Sequence, residues 1–296
     1  MAERIFTIGF ANMCETVPFS VTVREGLEAT AAKHPNLRLV VRDNDLNNDK
    51  AMANAQEFAE LGVDLAIIYH IDERFGTNIR SVLLKKRVPI IAVDIPIPMT
   101  VFFGINNQQA GYLAGEALGR WAQKHWDGAV DKVLVMTEQR ALSAIRTRID
   151  SAIQGLCDNA AVKKEDIFYL DGGTHQTTAY KHSESVFKLW EGVKRIAVIC
   201  SNDDTAMGVI NRAREMGRES DIGVIGQGAN LAIHEFPKPG NRFIASTAYY
   251  PEKYGEHLVD LALRMLHGER VPYENLIQPE AVTVENYKAW LKSHAV

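Results

Sequence analysis

Short aliphatic runs alternate with longer amphipathic stretches along most of this chain of 296 residues. The runs at 65–68 and 222–225, for example, contain only leucine, isoleucine, valine, alanine and glycine. Most runs are followed by a stretch whose apolar residues have the spacing of a helix. Strands that are apolar throughout are buried on both faces, as in parallel sheets covered by helices. The pattern therefore predicts an α/β fold of doubly wound parallel sheets.

The alternation of strands and helices is interrupted near residues 96–104 and resumes with a helix at 108–124. Because there are too many βαβ units for one open sheet, we expect two lobes joined by a multi-strand hinge. The expected N-terminal lobe contains residues 1–106 plus 250–277, and the C-terminal lobe contains 107–249 plus 278–296. A single eight-stranded barrel is the alternative, but the chain after residue 243 adds a strand, a helix and extended segments that a barrel does not need.

Composition and charge exclude several classes of protein. The 33 lysine and arginine residues are balanced by 37 aspartate and glutamate residues, which gives a formal net charge of −4 and no dense basic stripe. We therefore expect no nucleic-acid partner. No apolar run approaches the roughly 20 residues that span a bilayer. No secretion signal precedes the first strand at 4–10, so either the protein works in the cytoplasm or a leader has been removed.

No catalytic or cofactor-binding motif is complete. Residues 226–231 begin like a dinucleotide-binding loop, but Leu231 stands where the third glycine belongs. The sequence has no phosphate-binding loop, no Gly-x-Ser-x-Gly nucleophile elbow and no His-Glu-x-x-His zinc motif. We therefore predict no catalytic residue, no metal and no cofactor.

Polar and aromatic side chains instead follow the carboxyl ends of the predicted strands. Open α/β sheets bind ligands at this edge. Amides, carboxylates and aromatic rings buried there suit a neutral polyhydroxy compound, since each buried polar group needs a partner. Taken singly, each of these residues also suits a helix cap or a turn. The candidates are Asn12, Glu15, Tyr69 and Asp94 in the first half, and His175, Asn202 and Gln227 in the second.

Several segments resemble the type I periplasmic sugar-binding proteins, the ribose-binding-protein-like components of ABC transporters. The likeness runs from about Ile5 to Val284, and its most specific piece, residues 201–208, is shared with the effector domains of lactose-repressor-like regulators. The segments that carry it are Pro18-Phe19, Gly26, Ala92-Val93-Asp94, Gly104-Ile105-Asn106-Asn107, Gly111, Gly115, Ser143-Ala144-Ile145-Arg146-Thr147-Arg148, Ser201-Asn202-Asp203-Asp204-Thr205-Ala206-Met207-Gly208 and Leu266-His267-Gly268-Glu269.

This resemblance implies a ligand cleft between the two lobes and hinge closure on a small sugar or polyol. It also implies delivery to an ABC transporter permease in the membrane, a monomeric state and a periplasmic location after removal of a signal peptide. The residues to which it assigns ligand contacts are Phe19 as a ring-stacking aromatic, Asp94, Arg146 and Asn202 as hydroxyl-binding groups, and Tyr69 and Tyr249 at two further polar positions.

The chain departs from the family pattern at several of these positions. Ile95 stands where an arginine commonly follows the aspartate, and Gln227 or Gly228 replaces an expected aspartate. Thr174 or His175 occupies the place of an aromatic residue, and a longer first loop brings in Glu15. A hydroxyl pattern different from that of ribose is therefore expected.

Two rival functions remain at this stage. A sugar-modifying enzyme would use Glu15 and Asp94 as paired carboxylates, but no motif supplies a group to orient a base. A cytoplasmic sugar sensor related to repressor effector domains would be a stable dimer, with a genomic fusion or a partner that supplies a DNA-binding segment. A transport receptor would be a monomer with an upstream secretion signal.

Overall fold

The computed structural model describes residues 4–294, and the strands and helices below are those of this range. The strands are β1 (Phe6–Asn12), β2 (Leu37–Asp43), β3 (Leu65–Ile68), β4 (Ile90–Val93), β5 (Val101–Ile105), β6 (Lys132–Thr137), β7 (Ile167–Asp171), β8 (Ile196–Cys200), β9 (Ile222–Ile225), β10 (Phe243–Ala248), β11 (Glu274–Ile277) and β12 (Glu280–Thr283). The helices are α1 (Pro18–Ala31), α2 (Asn48–Leu61), α3 (Gly76–Lys85), α4 (Asn107–Trp126), α5 (Leu142–Cys157), α6 (Gln176–Leu189), α7 (Asp203–Glu215), α8 (Ala232–Glu235), α9 (Pro251–Leu266) and α10 (Tyr287–Ser293), with 3₁₀ turns at Lys164–Asp166 and Glu219–Asp221.

The strands form two six-stranded sheets. The first has the order β11-β5-β4-β3-β1-β2, and all its neighbouring strands are parallel. The second has the order β12-β10-β9-β8-β6-β7 and is parallel except for β12, which runs antiparallel to β10. The predicted α/β class, with a doubly wound parallel sheet in each of two lobes, is confirmed.

The described residues divide into two compact units, each built on one of these sheets. The first unit contains residues 4–105, 140–144 and 250–277, and the second contains 106–139, 145–249 and 278–294. Among the helices of residues 4–294, none combines the length and the apolar character that crossing a bilayer requires.

Glycines allow elements of the first unit to approach closely. The ring of Phe58 on α2 lies where a Cβ on Gly9 would be, 2.8 Å from that position, so β1 and α2 pack tightly. Helices α1 and α9 meet through Gly26 and Gly255, because a Cβ on Gly255 would lie 2.2 Å from the backbone of Gly26. These contacts bury Phe58 and Leu27 completely.

In the second unit, α4 and α5 make a similar backbone contact. A Cβ on Gly111 would lie 1.9 Å from the carbonyl oxygen of Arg148, and one on Gly115 would lie 1.9 Å from that of Ala152. Only glycine leaves room for such an approach. The two helices are therefore held at a separation that also determines the position of residues on α5.

The structure differs from the predicted elements mainly in short segments. Strand β5 begins inside the predicted interruption at 96–104, where Pro96 and Pro98 just before it break the apolar pattern. The extended tail segments are strands β11 and β12, one for each sheet. The helices α8 and α10, of four and seven residues, are too short for a periodic pattern to reveal.

Candidate functional site

Asn12 and Glu15 are joined at the carboxyl end of β1. Asn12 is fully buried, and its Nδ2 donates to the Cys14 carbonyl oxygen at 3.0 Å and to Glu15 Oε1 at 2.7 Å. Arg24 Nε donates to Glu15 Oε2 at 2.9 Å. The Asn12 Oδ1 is buried without a hydrogen-bond partner among the described residues. Asn12 therefore offers a fixed, vacant acceptor at this sheet edge.

Phe19 and Asp94 are linked through Tyr254. The Tyr254 hydroxyl donates to Asp94 Oδ1 at 2.9 Å, and the ring of Phe19 meets that of Tyr254 edge-on at 5.7 Å. Asp94 follows β4 with a φ of 57°, in the left-handed region that aspartate and asparagine tolerate better than most residues. This conformation places a largely buried carboxylate, only 8% exposed, at the end of the strand.

Tyr69 and His70 follow β3, the strand next to β1. Asn44 Nδ2 donates to the Tyr69 carbonyl oxygen at 3.1 Å, and His70 Nε2 lies 2.8 Å from Asn48 Oδ1. Burial lowers the pKa of His70 to about 4, with Asp72 opposing the change and Arg140 adding to it. His70 is thus neutral at pH 7, and its Nδ1 is buried without a partner in the described part of the chain.

Arg148 is the buried arginine of the second unit. Its Nε donates to Asn107 Oδ1 at 2.9 Å, its Nη1 donates to the Ser201 carbonyl oxygen at 2.8 Å, and its guanidinium lies 5.1 Å from the centre of the Tyr249 ring. Arg148 is 7% exposed. It thereby connects α4, α5 and the carboxyl end of β8.

Arg146, which the family resemblance implies as the ligand arginine, is not in this group. Its side chain is 83% exposed and lies 3.6 Å from Asp150 one helical turn later. Two residues along a helix turn the chain by more than half a revolution, so Arg146 and Arg148 lie on different faces of α5. The structure thus places Arg148, rather than Arg146, among the buried polar groups, and the ligand contact of Arg146 stays a prediction.

Asn202 caps α7, and both ends of its side-chain amide are used locally. Its Oδ1 accepts from the Thr205 N–H at 2.8 Å, and its Nδ2 donates to the Thr174 carbonyl oxygen at 3.2 Å. Thr174 is buried, and its hydroxyl has no partner among the described residues. His175 is the N-cap residue of α6 but makes no side-chain capping bond. Asn202 thus brings the ends of β7 and β8 together.

Gln227 and Tyr249 are joined directly. Gln227 Oε1 accepts from the Tyr249 hydroxyl at 2.6 Å and also from the Thr247 hydroxyl. The Gln227 Nε2 is buried, and no described residue pairs with it. With its oxygen occupied twice, Gln227 presents a fixed donor beside Tyr249.

Asp203 holds the loop that carries Gln227. Its Oδ2 accepts from the N–H groups of Leu231 and Ala232, both at 3.0 Å, and its Oδ1 accepts from the Ser246 hydroxyl at 2.6 Å. Its own N–H donates to the Gln227 carbonyl oxygen at 2.9 Å. Burial raises the pKa of Asp203 to about 7, although these hydrogen bonds oppose the shift, and burial raises the pKa of the adjacent Asp204 to about 6.

The structure gathers most predicted residues at the carboxyl ends of their own sheets. Within the first unit, Asn12 contacts Glu15, and Phe19 and Asp94 share Tyr254. Three further buried polar side chains, which are 4%, 4% and 7% exposed, were not among the predicted residues: His70, Glu138 and Arg148. Helical spacing contained the signal for Arg148, since it lies four residues after Ala144 and three after Ile145, both buried. Within residues 4–294, no group of three or more histidine, cysteine, aspartate or glutamate side chains could hold a metal ion.

Comparison with known proteins gives a consistent result. Residues 8–270 match the family model described as "Periplasmic binding protein domain". The ribose import binding protein RbsB of Salmonella typhimurium is 25% identical over 257 residues, covering 86% of this chain and 82% of that protein. An ABC transporter solute binding protein from Bacillus halodurans with bound myo-inositol superposes with a TM-score of 0.84 at 18% identity, over 99% of both chains. The Caulobacter myo-inositol binding protein gives a TM-score of 0.83 at 21% identity, over 98% of this chain and 96% of that one.

Proposed function

Because the chain belongs to the family of periplasmic binding protein domains, we propose that it captures a small neutral sugar or sugar alcohol and delivers it to an ABC transporter. Membership in this family confirms the resemblance found in the sequence. The similar proteins are named for ribose import or hold myo-inositol, and both compounds are rich in hydroxyl groups. Their names describe binding and import, which supports a binding function without catalysis.

One observation carries the proposal: both sheets end in buried hydrogen-bonding atoms that have no partner among the described residues. Asn12 Oδ1 and His70 Nδ1 lie in the first unit, and Thr174 Oγ1 and Gln227 Nε2 lie in the second. Leaving a buried polar atom unpaired costs about 1–3 kcal/mol. Hydroxyl groups of a bound carbohydrate would remove that cost, whereas an apolar ligand would not.

In this proposal, one ligand takes its contacts from both units, and the protein closes around it by a hinge motion. Such closure requires the ligand to bind the closed form more tightly than the open form, which contacts from both units provide. The transporter would recognise the closed conformation of the protein. We further propose a periplasmic location, a monomeric state and a membrane permease as partner.

A thermal-shift screen with pentoses, hexoses, cyclitols and linear polyols tests the function. At one hundred times its dissociation constant, a ligand adds about 2.7 kcal/mol to the free energy of unfolding. We expect at least one neutral compound to raise the melting temperature and to be recovered unchanged after prolonged incubation. If no compound raised the melting temperature, or if every bound compound were chemically altered, the proposed function would be wrong.

The Asp94→Asn variant tests whether Asp94 contacts the ligand found in that screen. Asparagine keeps an oxygen for the Tyr254 hydroxyl and tolerates the left-handed backbone, but it removes the charge. We expect the dissociation constant to rise about tenfold, since a hydrogen bond to a charged group contributes about 1.5–3 kcal/mol. The matched control is Asp49→Ala in the exposed first turn of α2. Equal affinity in parent and Asp94→Asn would exclude Asp94 from the site.

A further inference from the structure

His70 is held by a short chain of hydrogen bonds that determines which of its ring nitrogens carries the hydrogen. Asn48 lies between His70 and Asp72: its Oδ1 is 2.8 Å from His70 Nε2, and its Nδ2 donates to Asp72 Oδ2 at 2.9 Å. Asp72 Oδ1 also accepts from the N–H groups of Arg74 at 3.1 Å and Phe75 at 3.2 Å. Although burial alone would raise the pKa of Asp72, these hydrogen bonds outweigh burial and lower it.

The direction of each bond in this chain follows from chemistry. An ionised carboxylate only accepts hydrogen bonds, so the NH₂ group of Asn48 must face Asp72. The Asn48 oxygen must then face His70, and His70 Nε2 must donate to it. In a neutral imidazole the other nitrogen carries no hydrogen. His70 Nδ1 is therefore a bare lone pair, buried and without a partner among the described residues.

Asn12 presents a second acceptor on the neighbouring strand. Both of its Nδ2 contacts, the Cys14 carbonyl and Glu15 Oε1, are acceptors, so its NH₂ group is used and its Oδ1 stays vacant. Strands β1 and β3 are paired with Ala11 opposite Ile68, one residue before Asn12 and two before His70. The two vacant atoms thus follow adjacent strands at the same sheet edge, and both can only accept.

We propose that His70 Nδ1 and Asn12 Oδ1, which both accept hydrogen bonds, make the first unit select ligands whose groups donate hydrogens. This inference rests on the proposed carbohydrate-binding function and narrows its ligand class. The groups that meet this edge are hydroxyls that donate their hydrogens, as in sugars and polyols. A carboxylate or an ether oxygen offers no hydrogen there. The edge therefore rejects sugar acids and O-methylated compounds whose blocked oxygen lies at this position.

The hydrogen-bond chain is tested on the ligand-free protein by nitrogen-15 NMR of the histidine rings. The shift of a ring nitrogen separates the protonated from the bare form, and the spectrum of His70→Leu assigns the signal among the nine histidines. At pH 7 we expect a bare Nδ1 in the parent and a loss of this fixed form in Asn48→Ala, which removes the oxygen facing Nε2. A protonated Nδ1 in the parent would overturn the inference.

Ligand selection is tested by calorimetry with hexoses, cyclitols and pentoses, each beside its uronate or its mono-O-methyl ether. We expect a neutral compound to bind best, its uronate to bind at least tenfold more weakly, and His70→Leu to weaken binding about three- to tenfold. His70→Asn, which keeps an oxygen near the Nδ1 position, should retain more affinity than its near-isostere His70→Leu. The control is His182→Leu, an exposed histidine that also has one bonded ring nitrogen.

The outcomes separate this inference from the function beneath it. If a neutral sugar binds the parent and both His70 variants equally, or if a uronate binds best, then His70 Nδ1 and Asn12 Oδ1 do not select the ligand. The proposed carbohydrate binding would still stand. If no compound in the panel binds, the proposed function itself fails, and this inference fails with it.

Discussion

At the scale of single residues, two arginines on one helix have opposite surroundings. Arg148 donates to Asn107 and to the Ser201 carbonyl oxygen beneath the Tyr249 ring, whereas Arg146 is 83% exposed beside Asp150. Exposed ion pairs contribute about 0–1 kcal/mol. The loss of a buried arginine leaves its acceptors unpaired and costs more.

We therefore predict that Arg148→Ala lowers the free energy of unfolding by about 2 kcal/mol and abolishes measurable sugar binding. Arg148→Lys should recover part of the stability but little of the binding, because an ammonium has all its N–H groups on one nitrogen and cannot reproduce the planar fork by which Nε and Nη1 reach two separate acceptors. Arg146→Ala should stay within about 0.5 kcal/mol of the parent. Urea unfolding and calorimetry of the three variants measure both quantities. Weak binding by Arg146→Ala with normal binding by Arg148→Ala would reverse the assignment.

The sequence predicted some of the polar residues at the carboxyl ends of the strands and not others, and the difference lies in what determines the position of each residue. Asn12, Asp94 and Gln227 come at the ends of apolar runs, and a parallel sheet brings such ends to one edge, so local patterns sufficed to predict their position at the sheet edge. The burial of Arg148 depends on how α5 is rotated about its axis. The segment at 143–148 contains both arginines, so the motif alone does not distinguish Arg148 from Arg146. The role that we propose for His70 depends on its contact with Asn48, 22 residues away on another element. Periodicity contains no information on such a contact.

At the scale of elements, backbone contact between α4 and α5 sets the position of Arg148. Alanine normally stabilises a helix by about 1 kcal/mol over glycine. At Gly115, however, the added Cβ would lie 1.9 Å from the Ala152 carbonyl oxygen and 2.6 Å from its carbon. Backbone atoms cannot rotate away from such a clash, so the helices must separate.

We predict that Gly115→Ala destabilises the protein by about 1–3 kcal/mol and weakens sugar binding, because α5 shifts with Arg148 on it. Thr147→Ala is the control, since it adds helix propensity on the exposed side of the partner helix α5 without a close approach. Thermal unfolding and calorimetry of both variants provide the readout. A Gly115→Ala protein as stable as Thr147→Ala would show that the helix pair is not tightly constrained.

The long elements were predictable because their patterns are local, and the short ones were not. Helix α2 ends at Gly62, which adopts a φ of 64°, so sequence and structure agree on its end. Strand β11 becomes a strand only because it pairs with β5, about 170 residues earlier in the chain. Its sequence, with alternating exposed and half-buried residues, does not specify a strand by itself.

At the scale of the whole molecule, each unit contains buried titratable side chains at its sheet edge, and the stabilities of the two units respond to acid in opposite ways. In the first unit, the pKa of His70 is lowered from 6.5 to about 4 by burial. In the second unit, the pKa values of Asp203 and Asp204 are raised from 3.8 to about 7 and about 6 by burial. Stability follows the difference in bound protons between the unfolded and folded states.

Between pH 7 and pH 5 the unfolded chain protonates His70 while the folded first unit does not, so this unit loses about 2 kcal/mol as the pH falls. Over the same interval folded Asp203 gains a proton that the unfolded chain does not take, so the second unit gains about 2 kcal/mol from Asp203, and Asp204 adds to it. We therefore predict that lowering the pH weakens the first unit and strengthens the second.

Amide hydrogen exchange followed by mass spectrometry can measure each unit within the intact protein, because local opening reports local stability. After correction for the intrinsic pH dependence of exchange, peptides from β3 should lose protection at pH 5 relative to pH 7, and peptides from β8 should gain it. His70→Leu should remove the first change and leave the second, whereas Asp203→Asn should leave the first change and reduce the second to the part that Asp204 contributes. If protection in both units moved in the same direction, and neither variant altered it, the pH response would have to arise from groups other than these buried ones.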